Sequence, residues 1–206
     1  MKASLQTGDT RKRILDAANR IMAVGGFSGV GLNEVLAAAA VPKGSFYHYF
    51  GSKDAFGEAL IDAYFDRSLA ELERLLRSAD LSMVHRLMNY WKNWSYTQMG
   101  QDPYEKCLAV KLGAEVSDLS EAMRLALSKG TEKIIERIAA AIIEGMSDGS
   151  IVAAEEPQMI ARTLYQMWLG ASVMAKITHS RTPFEDAMAA SHLLLKPRWL
   201  ANETPL

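Results

Sequence analysis

The sequence is poor in cysteine, has no long apolar run and carries almost no net charge. Cys107 is its one cysteine, which excludes an intrachain disulfide and is typical of a reducing cytosol. No segment approaches the roughly 18 to 20 consecutive apolar residues of a membrane span, and no apolar export signal follows the first charges. We therefore expect a cytoplasmic protein that does not enter a membrane.

Signatures of catalysis and of metal binding are also missing. The four histidines are scattered, and we find no nucleophile elbow, phosphate-binding loop or zinc-ligand spacing. A cysteine hydrolase needs a base near its nucleophile, but His85, His179 and His192 have no motif around them. We expect no catalytic residue, metal site or cofactor, and a cysteine-dependent enzyme is the remote alternative.

The first fifty or so residues have the pattern of three helices. A helix is predicted from Arg11 to the Gly25-Gly26 pair, since apolar residues recur there at helical spacing and glycine favours a helix end. A second, short helix is predicted over 32–39. Pro42 predicts the start of a third, because proline is tolerated at a first helical position. Two short helices behind a longer one predict a helix-turn-helix domain.

The third helix has the composition of a DNA-reading element. Val41 to Phe50, VPKGSFYHYF, combines aromatic residues that can hold a core with polar groups that can face outward. Phe46 and Phe50 are the expected anchors. The residues expected to point toward phosphates and base edges are Lys43, Ser45, Tyr47 and His48.

Charge is distributed unevenly along the chain. Residues 1–53 contain seven lysines and arginines and three acidic residues, a charge of +4 that leaves −5 for residues 54–206. A basic end on an acidic body favours the approach of one surface to phosphate. The Arg11-Lys12-Arg13 cluster suggests further phosphate or minor-groove contacts beside the recognition helix.

These residues carry a family resemblance. The string formed by 26–27, 31–35, 41–50, 52–53 and 56 is similar to the DNA-binding domain of the TetR family of bacterial transcriptional repressors. The resemblance implies a DNA-binding domain over 1–55, a regulatory and dimerisation domain over 56–206, and a homodimer on palindromic double-stranded DNA. It also implies the DNA contacts, which are Lys43, Gly44, Ser45, Tyr47, His48 and Lys53.

The rest of the chain reads as helical, so the expected class is all-α. Helices are predicted over 54–77, 83–99, 104–116, from a cap at 117 or 118 to 144, over 157–178 and over 183–195. The last two have apolar residues on more than one face, and a second subunit is the simplest cover for the additional face.

Residues around Cys107 and Lys176 resemble a branch of the family that senses reactive electrophiles. The matches are 106–116, 118–121, 123–124, 168–171 and 175–177, although Lys106 stands where the branch leads us to expect glycine. The resemblance implies that Cys107 and Lys176 form the sensing pair. A neighbouring cation lowers the pKa of a thiol and so enriches the nucleophilic thiolate. We therefore expect electrophiles or oxidants to modify Cys107 and release the operator.

Two alternatives stay open. Cys107 could be a small buried hydrophobe, and Lys176 could extend to water near a helix C-terminus. The effector could also be a hydrophobic small molecule bound reversibly in the helical domain. The candidate lining residues for that pocket are Trp91, Trp94, Tyr165 and Trp168.

Overall fold

A computed structural model describes residues 2–153 and 155–197, with side chains from Thr10 onward. Over these residues the fold is all-α, as predicted, and contains no β-strand. The helices are α1 (Lys2–Gly25), α2 (Leu32–Ala38), α3 (Lys43–Tyr49), α4 (Lys53–Leu76), α5 (Met83–Met99), a 3-10 helix (Pro103–Glu105), α6 (Leu108–Leu119), α7 (Glu121–Ser147), α8 (Pro157–Thr178) and α9 (Thr182–Leu195).

Most of these bounds agree with the sequence pattern, and those of three predicted helices differ by more than two residues. The predicted start of the first helix at Arg11 is wrong, because α1 begins at Lys2 and no proline stops a helix in the segment before Arg11. The predicted helix over 104–116 is divided in two. The carboxylate of Asp102 accepts a hydrogen bond from the Tyr104 amide and caps a short 3-10 turn. Lys106 and Cys107 are then extended, with ψ angles of 149° and 111°, before α6 begins.

The predicted cap of the following helix at residue 117 or 118 is also wrong, and so is its predicted end at 144, because α7 continues to Ser147. Ser120 is extended, with φ −153° and ψ 125°, so it ends α6, and α7 begins directly after it. The side chain of Ser117 instead donates a hydrogen bond of 2.6 Å to the carbonyl of Gly113 within α6.

The chain forms two compact units, and the division falls within α4 and α7. The first unit contains residues 2–67 and 100–130, which include the three N-terminal helices, the start of α4, the 3-10 helix and α6. Its core brings together apolar side chains from α1, α2, α3, α4 and α6 and from the loop after α1. The principal ones are Ile14, Ala18, Met22, Phe27, Val35, Leu36, Phe46, Phe56, Leu60, Leu108, Leu112 and Val116.

The second unit contains residues 68–99, 131–153 and 155–197. Its buried side chains come mainly from α5, α7, α8, α9 and the end of α4, and they include Leu72, Leu87, Trp91, Ile138, Ile142, Leu164, Tyr165, Trp168 and Phe184. Glu156 caps α8 by accepting hydrogen bonds from the amides of Gln158 and Met159, and Pro157 occupies the first turn.

Candidate DNA-binding surface and thiol site

Aromatic packing fixes the orientation of α3 in the first unit. The Phe46 side chain is almost completely buried, and its ring centre lies 5.3 Å from that of Phe50 and 5.2 Å from that of Phe56 in α4. A helix of seven residues is too short to be stable alone, so α3 depends on tertiary packing such as this aromatic cluster for its stability.

The turn between α2 and α3 has a left-handed residue that is not glycine. Ala40 has φ 52°, while the Val41 amide donates to the Leu36 carbonyl over 3.0 Å, which closes the end of α2 as in a Schellman motif. The guanidinium of Arg13 in α1 donates to the Ala39 carbonyl over 2.5 Å and to the Ala40 carbonyl over 3.3 Å. Arg13 therefore supports the turn that sets the angle of α3.

The residues predicted to contact DNA all reach the surface. Tyr47 is 60% exposed although Phe46 beside it is buried. A Cβ added at Gly44 would meet no atom within 4 Å, so packing within the chain does not require glycine at that position. The exposed residues are Lys43, Gly44, Tyr47, His48 and Lys53, and Ser45 is half-buried.

Lys53 and the basic cluster of α1 have contacts within the unit. Lys53 is the first residue of α4, where helix amide groups favour an anion, and its Nζ lies 5.0 Å from the ring centre of Phe27. Arg11 lies over the Phe50 ring at 5.3 Å, and Lys12 forms an ion pair of 2.7 Å with Asp16. These contacts hold the side chains beside α3.

Cys107 is the N-cap residue of α6, and its side chain is only 3% exposed. The hydroxyl of Tyr64 in α4 donates a hydrogen bond to Cys107 Sγ over 3.1 Å. A hydrogen-bond donor and a helix N-terminus both favour the thiolate over the thiol. Burial opposes this and also limits access to reagents.

The segment before Cys107 is attached to α1. The hydroxyl of Tyr104 donates to Asp16 over 2.9 Å, and the amide of Asn19 donates to the Tyr104 carbonyl over 3.4 Å. The Arg20 guanidinium lies 4.5 Å from the centre of the Tyr104 ring and 3.5 Å from the carboxylate of Asp102. The Cys107 segment thus contacts α1, the first helix of the predicted helix-turn-helix domain.

The other end of α6 holds the loop that joins α1 to α2. The carboxylate of Glu115 accepts hydrogen bonds from the amides of Phe27 and Ser28, at 3.1 and 2.6 Å. Burial raises the pKa of Glu115, but these hydrogen bonds and the charge of Lys111 outweigh it, so the pKa lies below its ordinary value. Gly26 has φ +81°, a left-handed conformation that favours glycine, and an added Cβ would also lie 2.9 Å from the same carboxylate.

Lys176 belongs to the second unit, where it lies exposed in the last turn of α8. Its predicted partner, Cys107, belongs to the first unit. That pairing stays a prediction from the sequence.

The four residues of the predicted pocket form an aromatic cluster in the second unit. The rings of Trp91 and Trp168 are stacked with their centres 5.0 Å apart, and Trp94 meets Tyr165 edge to face at 6.0 Å. Trp94 Nε1 donates to Ser172 over 2.9 Å. Trp91 Nε1, in contrast, is buried without a hydrogen-bond partner among the groups that the structure describes.

Sequence analysis missed Tyr64, Glu115 and the role of Arg13. Tyr64 precedes Cys107 by 43 positions, and Glu115 follows the loop that it holds by 87 or 88. No local spacing links residues so far apart, so only the tertiary contact identifies them.

The described part of the chain contains neither a metal-binding cluster nor a membrane-spanning helix. No group of three or more histidine, cysteine, aspartate or glutamate side chains there could hold a metal ion. Among the same residues, no helix is long and apolar enough to cross a membrane.

Two known family models match this chain, one in its N-terminal part and one in the remainder. Residues 14–60 match the model of bacterial regulatory proteins of the tetR family, and residues 83–191 match a tetracyclin repressor-like C-terminal domain. The first match contains α2, α3 and the predicted DNA contacts, and the second contains Cys107.

Individual relatives cover nearly the whole chain. The HTH-type transcriptional repressor NemR of Escherichia coli K12 is 39% identical over 181 residues, 88% of this chain and 91% of that protein. The repressor DhaR of Mycobacterium sp. strain GP1 is 32% identical over 91% of this chain and 92% of its own length. The crystal structure of reduced E. coli NemR superimposes with a TM-score of 0.85 over 91% of this chain and 97% of that chain.

Proposed function

This chain belongs to the TetR family of bacterial transcriptional repressors, and on that premise we propose that it releases its operator when Cys107 is covalently modified. The observation that carries the proposal is the environment of the thiol. Cys107 is buried at the N-terminus of α6 with a hydrogen bond from Tyr64, in the compact unit that also contains the recognition helix.

DNA recognition is assigned to α3. The side chains of Tyr47 and His48 are exposed and can reach base edges, and Lys43 can contact phosphate. Gly44 lets the helix backbone approach the DNA closely. On a palindromic operator, two such helices read half-sites whose centres lie about 34–36 Å apart, or a multiple of that distance.

Dimerisation is assigned to α8 and α9. These helices expose apolar side chains that a second copy of the chain would cover, namely Val173, Met174, Ile177 and Leu193. A homodimer also supplies the two recognition helices that a palindrome requires.

The chemistry at Cys107 is addition or oxidation. Its thiolate adds to the carbon–carbon double bond of a maleimide or quinone, a carbon–sulfur bond forms, and the carbon next to the carbonyl takes a proton from water. Hypochlorous acid instead transfers chlorine to sulfur and leaves hydroxide. An amine, for which the family resemblance suggests Lys176, then attacks the sulfur and displaces chloride with loss of a proton.

Modification is coupled to DNA through α6. The Cys107 thiol is buried against Tyr64, so an adduct on it displaces Tyr64 or the N-terminus of α6. Because Glu115 on the same helix holds the amides of Phe27 and Ser28, a shift of α6 moves the loop before α2. To change the ratio of DNA-bound to free protein from 99:1 to 1:99, the modification must favour the free state by a free energy of about 5.5 kcal/mol. Formation of a covalent bond can supply that free energy.

A reversible effector is the second candidate. Trp91 Nε1 and Gln98 Oε1 are buried on α5 without partners among the described groups, and a bound molecule with matching polar atoms would satisfy them. This candidate predicts release that does not depend on Cys107.

The test is operator release measured by fluorescence anisotropy. The operator is selected from fragments of host DNA, and wild type is compared with Cys107→Ser under N-ethylmaleimide, a quinone and hypochlorite. Titration of the operator with protein should give a stoichiometry of two protein chains bound to each palindromic operator. We expect release of wild type alone, with one adduct per chain by mass spectrometry, because the chain contains one thiol.

Other outcomes separate the two candidates. Release of both proteins, or of neither, contradicts the covalent proposal and favours the reversible effector. Lys176→Met tests the amine separately, since it should alter the response to hypochlorite and leave the response to N-ethylmaleimide unchanged.

A further inference from the structure

A cavity of about 320 Å³ lies within the first unit, between α1, α4 and Tyr104. Its apolar wall includes Leu15, Leu60 and Ala63. Its polar groups come from both helices. All lining residues belong to the unit that contains α3, so the cavity is separate from the aromatic cluster of the second unit.

Two polar side chains that line the cavity have unsatisfied atoms. Asn19 is only 2% exposed, and while its amide donates to the Tyr104 carbonyl, its Oδ1 is buried without a partner among the described groups. Arg67 Nη2 is likewise buried without a hydrogen-bond partner there. Buried polar atoms are normally paired, so one acceptor and one cationic donor here indicate a ligand.

The charges around the cavity favour an anion. Arg11, Lys12 and Arg67 line it against one carboxylate, Asp16, which gives a net charge of +2. Burial raises the pKa of Asp16, but hydrogen bonds from Lys12 and Tyr104, with the charges of Lys12 and Arg67, lower it overall. Asp16 is therefore ionised and already occupied by its two donors.

Aromatic rings hold the Arg67 guanidinium in place. It lies 4.1 Å from the centre of the Tyr104 ring and 5.7 Å from that of Tyr64. Stacking on ring faces leaves the edge of a guanidinium available to a carboxylate. The Asn19 Oδ1 atom can accept a hydrogen bond from a hydroxyl group.

We propose that this cavity is a reversible binding site for a small hydroxylated organic carboxylate. Arg67 binds the carboxylate, Asn19 accepts from the hydroxyl, and the apolar body packs on Leu15, Leu60 and Ala63. Tyr64 lines the cavity and also donates a hydrogen bond to Cys107. A ligand in the cavity would therefore be a second signal acting on the first unit, beside modification of the thiol. Binding does not require the thiol, and Cys107→Ser is expected to retain it.

The test uses para- and meta-hydroxybenzoate as probes of the full-length protein, with Kd measured by calorimetry and by ligand-observed NMR. Benzoate lacks the hydroxyl and para-hydroxybenzamide lacks the charge. Arg67→Met removes the cation, Ala63→Met fills the cavity, and Arg77→Met removes an exposed arginine as the matched control.

We expect one hydroxybenzoate to bind with a Kd at least about tenfold lower than that of the amide. Arg67→Met should raise that Kd at least about tenfold, Ala63→Met should abolish binding, and Arg77→Met should leave it unchanged. Benzoate should bind more weakly than the hydroxybenzoate.

Three results overturn the proposal. They are no binding of either hydroxybenzoate up to about 10 mM, equal binding of acid and amide, or equal binding by wild type and Ala63→Met. If Arg67→Met does not fold, the comparison of acid with amide on wild type still decides. Loss of operator response in Cys107→Ser with intact hydroxybenzoate binding would separate this site from the covalent one.

Discussion

The recognition helix and the Cys107 segment belong to the same compact unit but present their functional groups in opposite ways. In α3, the side chains of Tyr47 and Lys43 are exposed, so their polar groups are available to another molecule. At the start of α6, the Cys107 thiol is 3% exposed and its hydrogen-bond donor comes from α4.

This difference separates two kinds of function. A DNA-reading surface must offer unpaired polar groups to another molecule, so its side chains need few partners within the chain. A thiol that changes the fold when it reacts must be buried among packed side chains, because an adduct on an exposed thiol would displace no neighbouring group. The interior contacts of Cys107 are therefore part of its proposed role.

The largest effects should come from Phe46 and Tyr47, two neighbours that the fold treats differently. Phe46→Ala should lower the free energy of unfolding by about 3–5 kcal/mol, since it empties the aromatic core beneath α3. Tyr47→Ala should change stability by no more than about 0.5 kcal/mol but weaken operator binding by about 1–3 kcal/mol. Chemical denaturation and anisotropy titrations measure the two quantities.

Tyr96→Ala is the matched control for Tyr47→Ala. Tyr96 is 68% exposed, on α5 in the second unit, and its removal should leave both quantities at wild-type values. If Tyr47→Ala binds the operator as wild type does, the assignment of α3 as the recognition helix is wrong.

A smaller effect should follow from removing the donor to Cys107. Tyr64→Phe keeps the ring and deletes the hydroxyl, so a thiolate at Cys107 loses its hydrogen-bond donor. Alkylation by N-ethylmaleimide should slow by about threefold to tenfold near neutral pH, as mass spectrometry over time would show.

Tyr96→Phe, which removes an exposed hydroxyl, should react at the wild-type rate. Faster alkylation of Tyr64→Phe would mean that the hydroxyl protects the thiol more than it activates it.

The smallest effect concerns Glu115, which links α6 to the loop between α1 and α2. Its folded-state pKa is depressed, so its contribution to stability is complete above the ordinary value of 4.5 and is lost as the pH falls through the lower folded value. Glu115→Gln should lower the melting temperature by roughly 2 °C at pH 7. That difference should shrink between about pH 5 and pH 3.

Asp118→Asn removes an exposed carboxylate from the same helix and serves as the control. If both variants alter the pH profile equally, net charge rather than the hydrogen bonds to Phe27 and Ser28 explains the effect. The proposed coupling further expects Glu115→Gln to bind the operator and yet release it less completely after alkylation.

Most of the helical architecture could be predicted from the sequence because its signals are local. Periodicity predicted α5 at 83–99 and α8 at 157–178 with the bounds that the structure has. The division of the predicted helix at 104–116 was missed, since it depends on the contacts of Tyr104 with Asp16 and Asn19 of α1.

By itself, the sequence determined the all-α class and the short helix α3, whose buried anchors and exposed groups lie within the ten residues of VPKGSFYHYF. Only the tertiary structure decided that Cys107 is buried against Tyr64, that Glu115 holds the loop of residues 26–28, and that Arg67 and Asn19 line one cavity. The physical reason is range. Helical hydrogen bonds and side-chain spacing act over three or four residues, whereas these contacts join positions brought together when apolar faces pack.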